Sequence, residues 1–417
     1  MRCPCEKLAA ILKRVTHLWQ ESPLRHAREI YLDHAAATPL DPQVYEVMRP
    51  YLQECFGNPS GLYQQGVLAQ QAIETARKSV VQILEALPEE IIFTSGGTES
   101  DNLAILGFAR AHAKEGKHLI TTAIEHHAVL GAMHQLEKEG FEITYLSPNE
   151  NGLVSVNQVR EALRPDTILV SVMYANNEIG TIEPVSDIGN MVQKYRQETN
   201  KAFPVFHTDA CQAAGSLELS VEKLHVDLLT LNGSKIYGPK GGGVLYRRRG
   251  IKLQPLQFGG SQERSLRPGT EPVAGIVGFS KALEIAQALK EKESKRLQSL
   301  RDFFIKEVLV TISGTRLNGH PNERLPNNIN ISFDRVEGEA MLLYLDHEGV
   351  AVSTGSACTS QSLDPSHVLV AIGCSHEQAH SSLRFTLGRS TTKEDLVFVL
   401  NALARVVQKL RVLSPRV

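Results

Sequence analysis

Between Ile30 and residue 250, short apolar runs alternate with stretches of helical hydrophobic period, and this alternation admits few architectures. Strand patterns fall at 91–94, 119–123, 142–146, 167–174, 204–208, 227–231 and 243–247. Helical patterns at 62–87, 101–113, 128–138 and 187–198 lie between several of them. Strands that alternate with helices predict an α/β fold with a mostly parallel sheet of seven strands, covered on both faces. In such sheets ligands sit at the carboxyl ends of the strands.

The character of the chain changes after residue 270. A long helical pattern at 274–309, rich in Glu and Lys, is followed by a strand (328–333), a helix (338–348), a small-residue loop, a strand (382–387) and a last helix (393–410). This predicts a smaller α+β domain made of 30–45 and 275–417, beside a large α/β domain at 46–274. Residues 1–29 form an extension in which Leu8, Ile11, Leu12, Val15, Leu18 and Trp19 recur at helical spacing. It has no continuous apolar segment or small-residue cleavage site, and Glu6, Glu21 and Glu29 do not suit a transit peptide. A cytoplasmic protein is expected.

Composition narrows the function. A formal net charge of -2 gives no basic surplus for nucleic acid. No apolar run approaches the ~18 residues of a membrane span. The six cysteines are scattered, which predicts no disulfide framework, and Cys3-Pro4-Cys5 lacks a second pair at zinc-like spacing, so no resident metal is expected.

Several residues could carry chemistry. Gly96-Gly97-Thr98 follows a strand and opens a helical pattern, where backbone N–H groups can meet an anion; a plain strand-to-helix turn would read the same. The absence of a Walker lysine and of Gly-x-Gly-x-x-Gly points away from nucleotides. Asp209 ends a strand, where its carboxylate could hold a pyridine nitrogen protonated or merely cap a helix, and Gln212 follows it. Lys235 sits in a glycine-punctuated turn after the next strand; it is either a solvated charge or an amine for an aldehyde. His126 or its neighbour His127 could lie over a planar ring and relay protons. Arg384 alternates with apolar residues in a strand and could grip a carboxylate or pair with a structural acid. Cys358 alone among the cysteines lies among Gly, Ser and Thr, where a thiolate would be reachable, whereas Cys211 and Cys374 look structural.

Taken together, these motifs closely resemble those of the cysteine desulfurases, pyridoxal-phosphate enzymes of fold type I in the class-V aminotransferase group. The matching stretches run in order from Tyr31-Leu32-Asp33-His34-Ala35-Ala36-Ala37-Thr38-Pro39 through Gly57-Asn58-Pro59-Ser60, Asn176-Asn177-Glu178, Asp209-Ala210-Cys211-Gln212 and Arg267-Pro268-Gly269-Thr270 to Ser356-Ala357-Cys358-Thr359-Ser360. The resemblance implies removal of sulfur from L-cysteine, giving L-alanine and a persulfide on Cys358, for iron–sulfur cluster assembly or other sulfur transfer. Lys235 would be the Schiff-base lysine, Asp209 the partner of the pyridine nitrogen and His126 the stacking ring. Asn177 and Gln212 would contact the cofactor, with Asn177 also near the substrate, and Arg384 would bind the substrate carboxylate. Gly97 and Thr98 would hold the phosphate, helped by Thr270 from the partner subunit of a homodimer. The Cys358 loop looks like the long-loop class that serves an iron–sulfur scaffold or another acceptor, and Cys358 could be a transient cluster ligand. A selenocysteine lyase is the nearest rival.

The chain departs from the family pattern at three places. Asn232-Gly233-Ser234 stands where Ser-Gly-His is usual, so both phosphate donors are exchanged for other donors. Tyr63 replaces a histidine after Gly57-Asn58-Pro59-Ser60. The sequence ends at Val417, short of the tail used to engage a scaffold, which leaves the partner open.

Overall fold

A computed structural model describes residues 29–354 and 364–413. The expected helix in the extension, Cys3-Pro4-Cys5 and Cys358 lie outside the described residues. After the short β1 (Ile30–Tyr31) come β2 (Ile91–Thr94), β3 (His118–Thr122), β4 (Glu142–Leu146), β5 (Thr167–Ser171), β6 (Val205–Asp209), β7 (Leu228–Asn232) and β8 (Gly243–Arg247). These last seven form one sheet in the order β2-β8-β7-β6-β5-β3-β4. Only β8 runs against its neighbours, so six strands point the same way and bring their carboxyl ends to one edge.

The strands form because both sides of them are covered. Alternate residues of β6 serve opposite cores: Phe206 packs with Ile73, Val80 and Phe279, and Val205 with Phe108, Leu119 and Met133. Burial of both faces explains the unbroken apolar runs that marked these strands in the sequence. The strand expected at 204–208 is shifted by one residue: Pro204 has no N–H for the ladder, and Asp209 forms the last rung, opposite Thr230. The helix expected at 101–113 begins at Gly97 and passes through a π-helical turn, Leu103–Gly107, before ending at Ala111.

The long helix Val273–Thr311 runs past both cores. Phe279 and Leu283 pack on the large sheet, and Phe304 and Val308 belong to a second core with Ile331, Phe385 and Leu403. That second core is built on an antiparallel sheet of β9 (Thr315–Leu317), β10 (Asn328–Phe333) and β12 (Ser382–Thr386), closed by the helix Lys393–Leu413. β11 (Val350–Ala351) pairs with β1, which brings the start of the described chain into this unit. Among the described residues, no helix is long and apolar enough to cross a membrane.

Candidate active site

The common edge of the parallel strands collects polar residues. β7 ends at Asn232 and tightens into the 3-10 turn Gly233–Lys235, one strand away from Asp209. Beyond β3, His126 caps the helix His127–Lys138, its Nδ1 accepting from the Ala128 N–H at 3.1 Å. β2 turns through Gly96, whose φ of 149° only glycine adopts readily, into the helix that starts at Gly97. From the smaller unit, Arg384 reaches in from the middle of β12.

These residues surround one cavity of about 280 Å³. Gly97, Thr98, His126, Asn177, Asp209, Gln212, Asn232, Lys235 and Arg384 all line it. Ser234 does not; its N–H and hydroxyl both donate to Asn232 Oδ1 at 3.1 Å, which leaves the Asn232 amide group beside Gly97. Thr270 is exposed and is not part of the lining. Cys358 lies outside the described residues.

Lys235 Nζ donates to the carbonyl of Ala36 at 2.7 Å, and Gln212 Nε2 to that of Ala35 at 3.0 Å. Asp209 Oδ1 accepts from the Cys211 N–H at 2.9 Å. Both His126 and His127 line the cavity. Burial pushes the His126 pKa down against the pull of Asp209, and with Nδ1 accepting, the neutral ring carries its proton on Nε2. Arg384 pairs with a structural acid, its Nη2 lying 2.8 Å from Asp33 while Nη1 donates to the Asn177 carbonyl at 3.0 Å, and it also lines the cavity.

Four lining residues escaped the sequence reading as site groups. Asp101 stands one helical turn beyond Gly97, and this i+4 spacing was the signal available for it. Burial, reinforced by Asp209, drives its pKa well up. Cys211 is buried, as expected of a structural cysteine, yet its Sγ borders the cavity. Burial foremost, then Asp209 and Asp101, hold it as a thiol. Glu178 and His367 complete the wall; His367 Nε2 lies 2.9 Å from the Glu125 carbonyl and its ring is 4.7 Å from that of His127. Among the described residues, no group of three or more His, Cys, Asp or Glu could hold a metal ion.

The arrangement offers an amine, an acid on the adjacent strand, a neutral imidazole, a glycine turn able to admit an anion, and a guanidinium for a carboxylate. The chain as a whole is similar to known proteins. The aminotransferase class-V family profile matches residues 30–399. The chain is 54% identical to cysteine desulfurase IscS of Dictyoglomus turgidum, over 93% of this chain and 97% of that protein. It is 51% identical to cysteine desulfurase IscS of Methanosarcina thermophila, over 93% and 94% respectively. Among solved structures, a NifS-like protein superposes with a TM-score of 0.85 at 34% identity, covering 92% of this chain and all of that one (100%). SspA in complex with cysteine superposes at 0.75 and 37% identity, covering 86% and 98%.

Proposed function

The chain belongs to the aminotransferase class-V family and is a cysteine desulfurase, and we propose that pyridoxal phosphate is its cofactor, with Lys235, Asp209, His126 and Cys358 carrying the chemistry. The observation that carries this reading is the placement of Lys235 and Asp209 after neighbouring parallel strands, facing one cavity that His126 also lines. The donor set fits the cofactor. A Cβ at residue 97 would meet Cys211 Sγ at 2.8 Å, so glycine there leaves the backbone bare for a phosphate. Asn232, placed beside Gly97, supplies an amide in place of the usual serine, and Ser234 orients it.

Lys235 is the amine that would hold the cofactor aldehyde, Asp209 would pair with the pyridine nitrogen, and Gln212 and Asn177 would contact the ring's substituents. Bound there, pyridoxal phosphate supplies an electron sink for bonds at an amino acid's α-carbon. Arg384 binds the carboxylate of L-cysteine and so fixes which bond faces Lys235. Lys235 Nζ takes the α-proton and later returns it. His126, which lines the cavity and carries its proton on Nε2 when neutral, exchanges protons near the substrate thiol. The Cys358 thiolate attacks the substrate sulfur; the carbon–sulfur bond breaks, a sulfur–sulfur bond forms, and L-alanine leaves with a persulfide on Cys358. Thr270 serves the phosphate of a partner subunit in a homodimer, which agrees with its exposure in the single chain. The persulfide passes to an acceptor or iron–sulfur scaffold protein in the cytoplasm. The same proposal divides the chain at residue 274, with 30–45 returning to the smaller domain.

Mass spectrometry after incubation with L-cysteine tests this. Added sulfur on Cys358 together with released alanine is expected. Cys358→Ser should abolish alanine release and keep the yellow cofactor absorbance, and normal turnover in that variant would overturn the assignment.

A further inference from the structure

Asp33 has no part in the chemistry above, yet it holds one of its central groups. It follows β1 and bridges to Thr386 of β12, which sets it next to Arg384. With Nη2 on Asp33 at 2.8 Å and Nη1 on the Asn177 carbonyl at 3.0 Å, both terminal nitrogens of the guanidinium are engaged. Among the described residues Nε–H has no acceptor, but that nitrogen is sealed off, and Arg384 is only 3% exposed. Each terminal nitrogen carries a second N–H beyond the one already engaged. Because Arg384 lines the cavity, its guanidinium is the donor group a carboxylate there would meet.

The turn that begins at Asp33 reaches further. The Asp33 carbonyl accepts from the Ala36 N–H at 3.1 Å and from the Tyr31 hydroxyl at 3.0 Å, which fixes the turn. The next carbonyls, of Ala35 and Ala36, accept from Gln212 and Lys235. One tight turn thus ties together residues delivered by β12, β6 and β7.

We infer that Asp33 is a positioning residue, which presets Arg384 so that its guanidinium receives the carboxylate of an amino-acid substrate at a fixed distance from Lys235. The inference rests on the proposed role of Arg384 in substrate binding. Asp33 touches neither substrate nor reacting atoms. It acts by removing the guanidinium's rotational freedom before the substrate arrives, so less entropy is lost on binding. A purely structural Asp33, present only to pair a buried arginine, would leave substrate affinity unchanged.

The test uses the holoenzyme with Asp33→Ala, Asp33→Asn and Asp33→Glu. In Asp33→Ala the KM for L-cysteine should rise about tenfold or more while kcat falls less than about threefold. The concentration of L-alanine needed to perturb the cofactor absorbance should rise by a similar factor, a binding readout free of turnover. Asp33→Glu should recover part of both losses, and Asp33→Asn carries the test should the alanine variant not fold. An unchanged KM with a lowered melting temperature would assign Asp33 a structural role and overturn the inference. A wild-type protein that releases no alanine from L-cysteine would instead defeat the desulfurase reading itself, so the two failures are distinct.

Discussion

His207 Nε2 lies 3.7 Å from Asp101 Oδ1, with both side chains essentially out of solvent's reach. Among the described residues, Asp101 Oδ1 has no hydrogen-bond donor. Burial first, then the nearby Asp209 and Glu125, push the Asp101 pKa well up, while Thr230 opposes them. Burial also takes His207 down to about 4. Burial therefore favours the uncharged form of both groups.

This preference predicts two limbs in the stability of the apoprotein. A raised acid such as Asp101 adds stability that is complete below its unfolded pKa and is lost as pH rises toward its folded value. A lowered histidine such as His207 removes stability as pH falls from 6.5 toward about 4, by about 3 kcal/mol in all. Asp101→Asn, which mimics the protonated acid, should become progressively more stable than wild type as pH rises above the ordinary aspartate range, and should keep the acid limb. Melting temperatures over that rise decide it; a pH-independent difference would mean that Asp101 is ionised in the fold.

A second prediction concerns the glycine turn. A Cβ at residue 97 would stand 2.8 Å from Cys211 Sγ, and Cys211 is buried with little room to retreat. Gly97→Ala should therefore cost about 1–3 kcal/mol of stability and weaken cofactor retention. Removing the obstacle in Gly97→Ala/Cys211→Ala should restore most of both. Cofactor absorbance after dialysis measures retention, and failure of the double variant to recover would place the glycine requirement in the backbone rather than in this contact.

The contrast between legible and hidden features follows from distance along the chain. The strands of the large sheet were visible because burial on both faces selects continuous apolar runs, and the positions of Asp209 and Lys235 followed from the alternation that orders those strands. The π turn at Leu103–Gly107 was not visible, since its residues are as apolar as those of any buried helix. The tie between Asp33 and Arg384 spans 351 residues, and His367 meets His127 only through packing of one unit on the other, so no local pattern announces either. Thr270 entered through family resemblance alone, whereas Cys358 was marked by the Gly, Ser and Thr residues around it.

A third prediction separates the lysine's chemistry from its structural contact. Lys235 Nζ makes a hydrogen bond to the Ala36 carbonyl and lies at the cavity wall rather than in the core. Lys235→Ala should fold with a melting temperature within a few degrees of wild type. It should lose the covalently held cofactor, which borohydride reduction otherwise fixes to the protein as an absorbance that survives denaturation and dialysis, and alanine release should fall by about 10³-fold or more. Retention of that absorbance would move the covalent link to another amine.

The last prediction concerns how the glycine turn is held from behind. β2 delivers that turn, and its backbone is gripped by a buried pair: Arg77 Nη2 meets Glu263 Oε1 at 2.6 Å, Arg77 Nη1 donates to the Ile91 carbonyl at 2.8 Å, and Glu263 Oε2 accepts from the Phe93 N–H at 2.8 Å. Both side chains are nearly free of solvent contact, at 4% and 3% exposure. Replacing Arg77 by Met keeps the apolar volume but strands the Glu263 carboxylate among apolar residues. A stranded buried charge costs about 3–5 kcal/mol, so Arg77→Met should lower stability by that order. Arg77→Met/Glu263→Leu, which removes both charges, should recover much of it, because the pair's own desolvation is then avoided. Chemical denaturation of wild type, Arg77→Met, Glu263→Leu and the double variant gives the coupling directly. Because the pair grips β2 at Phe93, three residues before Gly96, the Arg77→Met variant should also lose cofactor faster on dialysis, and equal retention in all four would show that β2 holds the turn without it.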